Sequence, residues 1–420
     1  MKVLISATAW GARYVSTFLE YSLASQLSRH NLPQLASTHE VTYHILTRRR
    51  NVKNFLRHGR FREIDKFCEV IFENIEDYGY DALYIPSGSS SDKYSFLSRL
   101  QNISIERSLN HDAVVFNYAD FVWADGSLFN AVALVEHSVD AVLSFCLPVD
   151  QNTAKSALEH YRRNGKRGDP IDLPPRSAAR LATDLLHRET RLRFWDGPQF
   201  TSMPSYLLWP VDDDGLIIRA YHQTILVLRV QHKDPRYLAG ISRGTLDGHF
   251  TAALAERARF VHAVDSDQVM VFSLYDDRIN TSLRENQSRE ESLRTCLRTA
   301  ISENQRRFAE VPIYVKREYT DSSRWESVTR ESANVIRHFH ETTPSDPDSF
   351  HSESNSANIE TYEVRWRRPA RRGIRWFVWF YRRLLPRLLI GRVGQVARRL
   401  LRTTKARALR AKIGRRIFTI

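Results

Sequence analysis

Two aspartates near the end of one apolar segment are the residues of this chain best placed to do chemistry. Residues 113–118 have the pattern of a buried strand, Asp120 lies just beyond it, and Asp125 comes five residues later. In open α/β sheets, ligands bind outside the carboxyl ends of the strands, where loops vary and helix amino termini converge. The pattern therefore predicts a ligand site at Asp120 and Asp125.

The two aspartates have different alternative roles. Asp125 precedes Gly126 and Ser127, an ordinary entry to a helix, so a cap on the first turn explains its carboxylate equally well. Asp120 is harder to explain structurally, because a carboxylate at the end of a buried strand is costly unless it is paired or binds a metal. We expect Asp120 to belong to the site and leave both roles open for Asp125.

The second half of the chain supplies further candidates. Asp247, in a Thr-Leu-Asp-Gly segment, is a candidate general base, although Asp before Gly is also common in turns. His222 follows an apolar segment and is a candidate metal ligand, with a structural role as the commoner alternative for a single histidine. Asp265 and Asp267 form a literal Asp-x-Asp, which a tight turn between two strands explains more simply.

Alternating strand and helix patterns indicate the elements that position these residues. We predict strands, separated by helical patterns, at residues 2–7, 41–46, 70–75, 113–118 and 141–147. Such alternation predicts an α/β fold with a mostly parallel, Rossmann-like sheet over residues 1–150. Residues 151–335 are less regular and predict a mixed α+β half, in which a hairpin across Asp212 to Gly215 is the clearest feature.

Composition limits the class of protein. With 420 residues, of which 42% are hydrophobic, the chain is long enough for a two-part globular domain with appendages. Cys68, Cys146 and Cys296 have neither metal-ligand nor disulfide-framework spacing, which indicates a reducing compartment. The first predicted strand begins at Lys2, which leaves no room for a signal peptide. We therefore expect a cytoplasmic protein.

The net charge of +14 is concentrated towards the carboxyl terminus. Residues 361–420 carry 17 Arg and 2 Lys against Glu363 alone, a charge of +18, whereas the rest of the chain carries 43 basic and 47 acidic side chains, a charge of −4. Residues 336–362, which include a stretch rich in Ser, Asp, Asn and Pro, are predicted to form a flexible linker. Residues 363–420 then form a basic tail.

The tail combines this surplus charge with an amphipathic stripe. Leu385, Leu389, Val393, Val396 and Leu400 recur at helical spacing between arginines. A transmembrane helix needs about 20 mainly apolar residues, and the arginines interrupt any such run. We therefore expect a helix that lies on an anionic membrane surface. An Arg-rich arm that binds nucleic acid is the less favoured alternative.

The first half resembles a known enzyme family when its segments are taken in order. Residues 7–27 read ATAWGARYVSTFLEYSLASQL, and the strand at 113–118 leads into Tyr118-Ala119-Asp120. This layout resembles the A-type fold of bacterial inverting glycosyltransferases that use nucleotide-diphospho-sugars. In that family the strand ends in Asp-x-Asp, which holds a divalent metal, Mn²⁺ or Mg²⁺, against the diphosphate of the donor. Here Tyr118 replaces the first acid.

The resemblance implies a donor site with one further departure. The family's second strand ends in acids that contact the nucleotide base, whereas this strand ends in Leu46-Thr47-Arg48, which would place arginine near the diphosphate. We assign Trp10, Thr47, Arg48 and Asp120 to the donor. The candidates given above complete the site, with Asp120, Asp125 and His222 for the metal and Asp247 as the catalytic base.

Three hypotheses about function follow. The leading one is a metal-dependent glycosyltransferase on the inner face of a bacterial cell membrane, which adds a sugar from a nucleotide-diphospho-sugar to a lipid-linked or surface-polysaccharide acceptor. The alternative is a non-catalytic module with the same fold, recruited to the membrane as a partner in polysaccharide synthesis, and Tyr118 favours it. The third is a metal-dependent hydrolase, which requires Asp247, Asp265, Asp267 and His222 to converge in space.

Overall fold

A computed structural model of the chain describes residues 1–78, 90–135, 139–229, 246, 249–254, 258–276, 288–318 and 322–344. These residues belong to one of the two compact units into which the chain divides, Met1–Ala357. The other unit, Asn358–Ile420, contains the predicted basic tail and lies outside the described residues. Among the helices that are described, none is both long enough and apolar enough to cross a membrane.

The strands of the described residues form three sheets. In chain order they are β1 (Lys2–Thr8), β2 (Glu40–Thr47), β3 (Glu69–Asn74), β4 (Ala113–Tyr118), β5 (Phe121–Trp123), β6 (Ala141–Ser144), β7 (Leu147–Asp150), β8 (Tyr206–Val211), β9 (Gly215–Ala220), β10 (Thr224–Arg229), β11 (Phe260–His262), β12 (Val271–Tyr275) and β13 (Ile313–Lys316).

Helices connect and cover these strands. In chain order they are α1 (Ala12–Thr17), α2 (Leu23–Gln26), α3 (Leu32–Thr38), α4 (Val52–Arg57), α5 (Gly59–Ile64), α6 (Ser90–Ser108), α7 (Ser127–Ala133), α8 (Gln151–Leu158), α9 (Pro175–Asp184), α10 (Arg188–Arg191), α11 (His249–Leu254), α12 (Arg289–Thr299), α13 (Glu303–Glu310) and α14 (Ser322–Thr342). A π-helical turn, Phe18–Ser22, joins α1 to α2.

The central sheet has seven strands in the order β11, β6, β10, β4, β1, β2 and β3. Neighbouring strands run parallel except around β10, which is antiparallel to both β4 and β6. Its five inner strands are largely buried and apolar, as expected when helices cover both faces of a parallel sheet, whereas the edge strands β3 and β11 are only partly buried. This architecture confirms the predicted α/β class with a mostly parallel, Rossmann-like sheet.

Two smaller sheets extend the central one. The first orders β5, β12 and β7, and the second orders β13, β9 and β8. The predicted hairpin is confirmed, because β8 and β9 pair antiparallel across the acidic turn. Gly215 begins β9 with φ +149°, and a Cβ atom there would meet the Val315 carbonyl oxygen at 2.0 Å. Glycine is therefore the residue that lets β13 approach β9 so closely.

The structure changes three of the predicted boundaries. The predicted strand at 141–147 is two strands in different sheets, β6 in the central sheet and β7 in the second. Strands β10 and β11 belong to the central sheet, so the predicted boundary at residue 150 is not a boundary between sheets. The predicted linker begins too early, because residues 336–342 continue helix α14.

Candidate functional site

The order of the strands locates a crevice in the central sheet. From β1 the chain moves outward to β2 and β3, and it then returns to place β4 on the other side of β1. The carboxyl ends of β1 and β4 are therefore the point at which the strand order reverses. Open α/β sheets bind their ligands in the crevice at such a point, since the loops on the two sides diverge there.

One wall of the crevice is the turn from β1 into α1. The Thr47 hydroxyl donates to the Ala9 carbonyl at 2.5 Å, and the Ala9 amide donates to the Leu46 carbonyl at 3.0 Å. Gly11 then adopts φ 79° and ψ 148°, a conformation that essentially only glycine tolerates. Nothing lies within 4 Å of the position of a Cβ atom at Gly11, so the conformation rather than crowding requires glycine there.

The opposite wall is the segment after β4. Asp120 is half-buried, and its backbone carbonyl accepts a hydrogen bond from the Leu274 amide at 3.0 Å. This bond continues the antiparallel pairing of β5 with β12, so the end of β12 lies beside the end of β4. Asp276 follows β12 and joins Asp120 at the crevice.

Charged side chains from both walls of the crevice act on the hydroxyl group of Tyr14. Its side chain is 43% exposed, yet partial burial is the largest effect that raises the pKa of its phenol. The negative charges of Asp120 and Asp276 raise this pKa further, and the positive charge of Arg13 opposes them. The three charged side chains therefore lie close enough to Tyr14 to act on the same hydroxyl.

Two cations are fixed in this region. Arg13 forms an ion pair with Asp276 and donates to the Gln151 side chain at 3.4 Å. Lys155, on α8, donates to the Thr17 hydroxyl at 2.8 Å. Burial lowers the pKa of the Lys155 amine, and the charge of Arg13 lowers it further. An anion that approaches the crevice would thus meet two cations held by the surrounding structure.

The predicted donor residues take different positions around this crevice. Thr47 is fully buried and holds the β1 turn, so it positions the wall rather than contacting a ligand. Trp10 is half-buried against the apolar cluster of Leu46, Ile75, Leu100 and Ile103. Arg48 follows β2, and its buried Nε atom has no hydrogen-bond partner among the described residues.

The structure does not bring Asp125 to Asp120. Strand β5 separates them, and five residues of extended chain span about 16 Å. The Asp125 carboxylate instead accepts the His30 amide at 2.9 Å and lies 2.6 Å from its Nδ1. Burial would raise the pKa of Asp125, but the bonds from His30 lower it. The Asp125 carboxylate is thus engaged with His30, and strand β5 lies between it and Asp120.

The rest of the predicted metal set does not assemble either. His222 precedes β10 and donates its amide to the Ser205 carbonyl at 3.3 Å. Within the described ranges, no three His, Cys, Asp or Glu side chains come together as a metal would require. Asp120, Asp125 and His222 therefore do not form the predicted metal site.

The remaining acidic candidates from the sequence are Asp265, Asp267 and Asp247. Asp265 and Asp267 begin a turn between β11 and β12, as the simpler interpretation expected. Their carboxylates pair with different cations, Lys316 and Arg176, so the literal Asp-x-Asp does not direct both acids to one ion. Asp247, the predicted base, lies outside the described residues.

Tyr118 occupies the place of the missing first acid. Its hydroxyl accepts a hydrogen bond from the Gln101 amide at 2.5 Å, and its ring packs edge-on against Phe121 with centroids 4.8 Å apart. Gln101 is on α6 and is itself buried. Tyr118 thus contacts helix α6, which covers the sheet, and packs its ring on Phe121. An aspartate at this position could not provide the aromatic packing.

Sequence reasoning missed four residues of the crevice, Arg13, Tyr14, Lys155 and Asp276. One of them had the same signal as Asp120, because Asp276 directly follows an apolar strand. Arg13 and Tyr14 follow β1 in the same way, at the start of a segment that carries a strong helical pattern. Lys155 had no local signal, since only the fold places α8 beside α1.

The sequence and the structure were both compared with known proteins. No family model matches the sequence, and no curated protein matches it. Among solved structures, mouse xyloside xylosyltransferase 1 is similar with a TM-score of 0.25 and 13% identity over 38% of this chain and 58% of that one. S. aureus TarS is similar with a TM-score of 0.33 and 14% identity over 71% of this chain and 43% of that one. The galactosyltransferase LgtC, with donor and acceptor sugar analogues, is similar with a TM-score of 0.20 and 16% identity over 38% and 51%. The chain therefore spans about half the length of these three structures.

Proposed function

We propose that the protein binds a nucleotide-diphospho-sugar in the crevice between β1 and β4 and transfers its sugar to an acceptor. The observation that carries this proposal is the reversal of strand order, which gathers Arg13, Tyr14, Asp120 and Asp276 at one place. Nucleotides bind at this place in open α/β sheets. The sequence resemblance to A-type glycosyltransferases supports the same site and names the donor class.

The chemistry of the crevice suits a diphosphate. Lys155 offers one cation, and Arg13 offers a second if it exchanges its ion pair with Asp276 for one with phosphate. Charge-assisted hydrogen bonds to phosphate are about twice as strong as neutral ones. The absence of a side chain at Gly11 leaves the backbone amides after β1 open to approach.

The transfer step needs two further contributions. A base must take the proton from the acceptor hydroxyl while the sugar carbon is attacked, and Asp247 remains the predicted residue for it. Asp120 would face the donor, where a fixed carboxylate orients the sugar and its diphosphate. A divalent cation would have Asp120 as its one predicted ligand at the crevice, so we assign no step to a metal.

The acceptor and location are parts of the same proposal. A lipid-linked or surface-polysaccharide acceptor agrees with the basic tail, because an enzyme held at the inner face of the membrane would meet such an acceptor there. A cytoplasmic, bacterial protein agrees with a soluble nucleotide-sugar donor.

A second function is a non-catalytic module with the same fold. Tyr118 favours it, because the residue in place of the first acid offers no carboxylate to a metal and accepts a hydrogen bond from Gln101. In this case donor binding would persist without turnover. The hydrolase hypothesis would require Asp265 and Asp267 to leave their ion pairs with Lys316 and Arg176.

Calorimetry with UDP-, GDP- and dTDP-sugars tests donor binding directly. We expect at least one donor to bind with a dissociation constant between about 1 µM and 1 mM, the range of typical KM values. Arg13→Gln should weaken that binding by about tenfold, because it removes one charge-assisted hydrogen bond. Titrations with Mn²⁺, with Mg²⁺ and with chelator decide whether a metal contributes.

The matched control for this experiment is Arg29→Gln. Arg29 is 70% exposed and pairs loosely with Asp172 at 3.9 Å, so its loss should leave donor binding unchanged. The donor proposal fails if no nucleotide-sugar binds or if both variants weaken binding equally. Release of free nucleotide from the bound donor then separates the enzyme from the non-catalytic module.

We further propose that residues 363–420 attach the protein to anionic membranes. Each basic residue near an anionic leaflet contributes roughly 1 kcal/mol before screening. The full chain should float with vesicles that contain anionic lipid and remain unbound with purely neutral vesicles, whereas a chain that ends at residue 357 should not float with either. Tighter binding of the full chain to RNA than to anionic vesicles would contradict this proposal.

A further inference from the structure

A second cleft lies at the opposite end of β12 from the crevice. Its volume is about 810 Å³, and the turn that precedes β12 forms one side of it. Because β12 has five residues, the cleft and the crevice are separated by about 17 Å of strand. The side chains that carry the argument are Arg176, Asp265, Asp267, Tyr314, Lys316 and Trp325.

Two aromatic side chains form one corner of the cleft. The rings of Tyr314 and Trp325 lie 5.8 Å apart at an angle of 66°, and both side chains are half-buried. The backbone of Tyr314 is fixed on both sides, because its amide donates to Val264 at 2.7 Å and its carbonyl accepts from Ser266 at 3.0 Å. The corner is therefore rigid before any ligand arrives.

Two ion pairs form the polar side of the cleft. Arg176 donates two hydrogen bonds to Asp267, at 3.0 and 2.7 Å, and Lys316 donates to Asp265 at 2.5 Å. The Asp265 carboxylate also accepts the Asp267 amide at 2.9 Å. The four side chains nevertheless keep between 21% and 35% of their surface exposed.

With Glu318, Glu326 and Arg330 included, three basic and four acidic side chains line the cleft. This nearly balanced lining favours a neutral, polar ligand. Asp265 and Asp267 each already neutralise a cation, so a charged ligand would have to break an ion pair to gain one there. A sugar ring presents apolar C–H faces that pack on aromatic rings, and its rim carries adjacent hydroxyl groups that both donate and accept hydrogen bonds. The cleft also lies within the volume range of about 300 to 1,000 Å³ that is typical of ligand sites.

We propose that this cleft binds a neutral oligosaccharide, with one sugar ring packed against Trp325 and Tyr314 and its hydroxyl groups bonded to the two ion pairs. The inference goes beyond the transferase proposal, because it concerns a separate site and does not require the crevice to be catalytic. If the transferase proposal also holds, the cleft would bind one part of a glycan chain while the crevice transfers a sugar to another part of the same chain.

Saturation-transfer NMR and calorimetry on the full chain test this site. The probes are maltohexaose, cellohexaose and chitohexaose, with the charged hyaluronan hexasaccharide for comparison. We expect at least one neutral hexasaccharide to bind more tightly than hyaluronan. Trp325→Leu should weaken that binding by about tenfold, as expected for an aromatic residue at the centre of a contact.

A matched pair of variants separates a binding role from a structural one. Asp267→Asn removes the carboxylate of the Arg176 pair, and Asp172→Asn removes the carboxylate of a similar two-bond pair with Arg163, in which both distances are 2.8 Å. Only Asp267→Asn should weaken oligosaccharide binding, by about fivefold. Asp120→Asn, at the crevice, should leave it unchanged, so this proposal and the donor proposal can fail separately.

Three outcomes would overturn the inference. They are the absence of saturation transfer from every neutral probe, tighter binding of hyaluronan than of any neutral probe, and equal losses in Asp267→Asn and Asp172→Asn. Thermal melting of each variant shows whether it is folded, and Asp267→Asn decides the question if Trp325→Leu is not.

Discussion

Replacing Asp120 by asparagine is expected to lower kcat/KM for the nucleotide-sugar donor by about 100-fold, the usual cost of removing one fixed polar group from a reacting centre. The substitution keeps the shape of the side chain and removes its charge. The backbone carbonyl of Asp120, not its side chain, makes the bond to Leu274 that continues the β5–β12 pairing. The melting temperature should therefore change little while turnover falls.

The same variant has a second readout that does not depend on turnover. The charge of Asp120 contributes to the raised pKa of Tyr14, so this pKa should fall in Asp120→Asn. NMR titration of a tyrosine ring label follows it directly. A variant that lost activity without a change at Tyr14 would place Asp120 away from the crevice and contradict the site.

The matched control is Asp125→Asn. Asp125 is an aspartate five residues away on the same segment, and it pairs with His30 on the far side of β5. Its replacement should cost about 1 kcal/mol of stability, the usual value of one hydrogen bond, and leave kcat/KM unchanged. Equal losses of activity in the two variants would mean that the two carboxylates act together after all.

The contrast between these aspartates shows how far the sequence predicted the site. The strand before Asp120 was predicted with its observed bounds, because its apolar run is continuous and ends abruptly. Asp125 was grouped with Asp120 by spacing, and no strand was predicted for Phe121, Val122 and Trp123 between them. They are aromatic and β-branched residues, which favour a strand, and a strand carries the next acid away from the site.

Long-range pairing accounts for most of what could not be predicted. Arg13 and Asp276 are 263 residues apart in sequence, and nothing local indicates that they form an ion pair. Strand β10 enters the central sheet between β4 and β6, antiparallel to both. Its apolar pattern predicts burial but not the sheet to which it belongs, since that choice depends on how the helices pack.

A buried polar network beside the crevice carries the second large prediction. Ser6, His44 and Glu73 lie on three neighbouring strands, β1, β2 and β3. The Ser6 hydroxyl is 3.2 Å from His44 Nδ1, and His44 Nε2 is 2.8 Å from the Glu73 carboxylate. The order resembles a catalytic triad, but Ser6 is 3% exposed and His44 is 1% exposed, so no substrate reaches the serine.

The role of this network is instead to hold α6 against the edge of the sheet. Arg107, on α6, donates its Nε hydrogen to both Glu73 oxygens at 3.0 and 2.7 Å, and Tyr78 also donates to Glu73. Ser6 donates to Ser104 on the same helix at 2.7 Å. Burial would raise the pKa of Glu73, but the bonds from Arg107 and His44 lower it from 4.5 to about 2.

Replacing Glu73 by glutamine should therefore destabilise the protein by about 2 to 3 kcal/mol at pH 7, because buried His44 and half-buried Arg107 lose their common anion. Since the pKa of Glu73 is lower in the folded state, its stabilisation is present above pH 4.5 and is lost as the pH falls towards 2. Urea unfolding of both proteins at several pH values should show the difference shrinking over that interval. Glu40→Gln, which breaks an exposed pair with Lys2 at 3.7 Å, should cost almost nothing at any pH. A difference for Glu73→Gln that stays constant from pH 7 to pH 3 would show that its charge does not hold the helix.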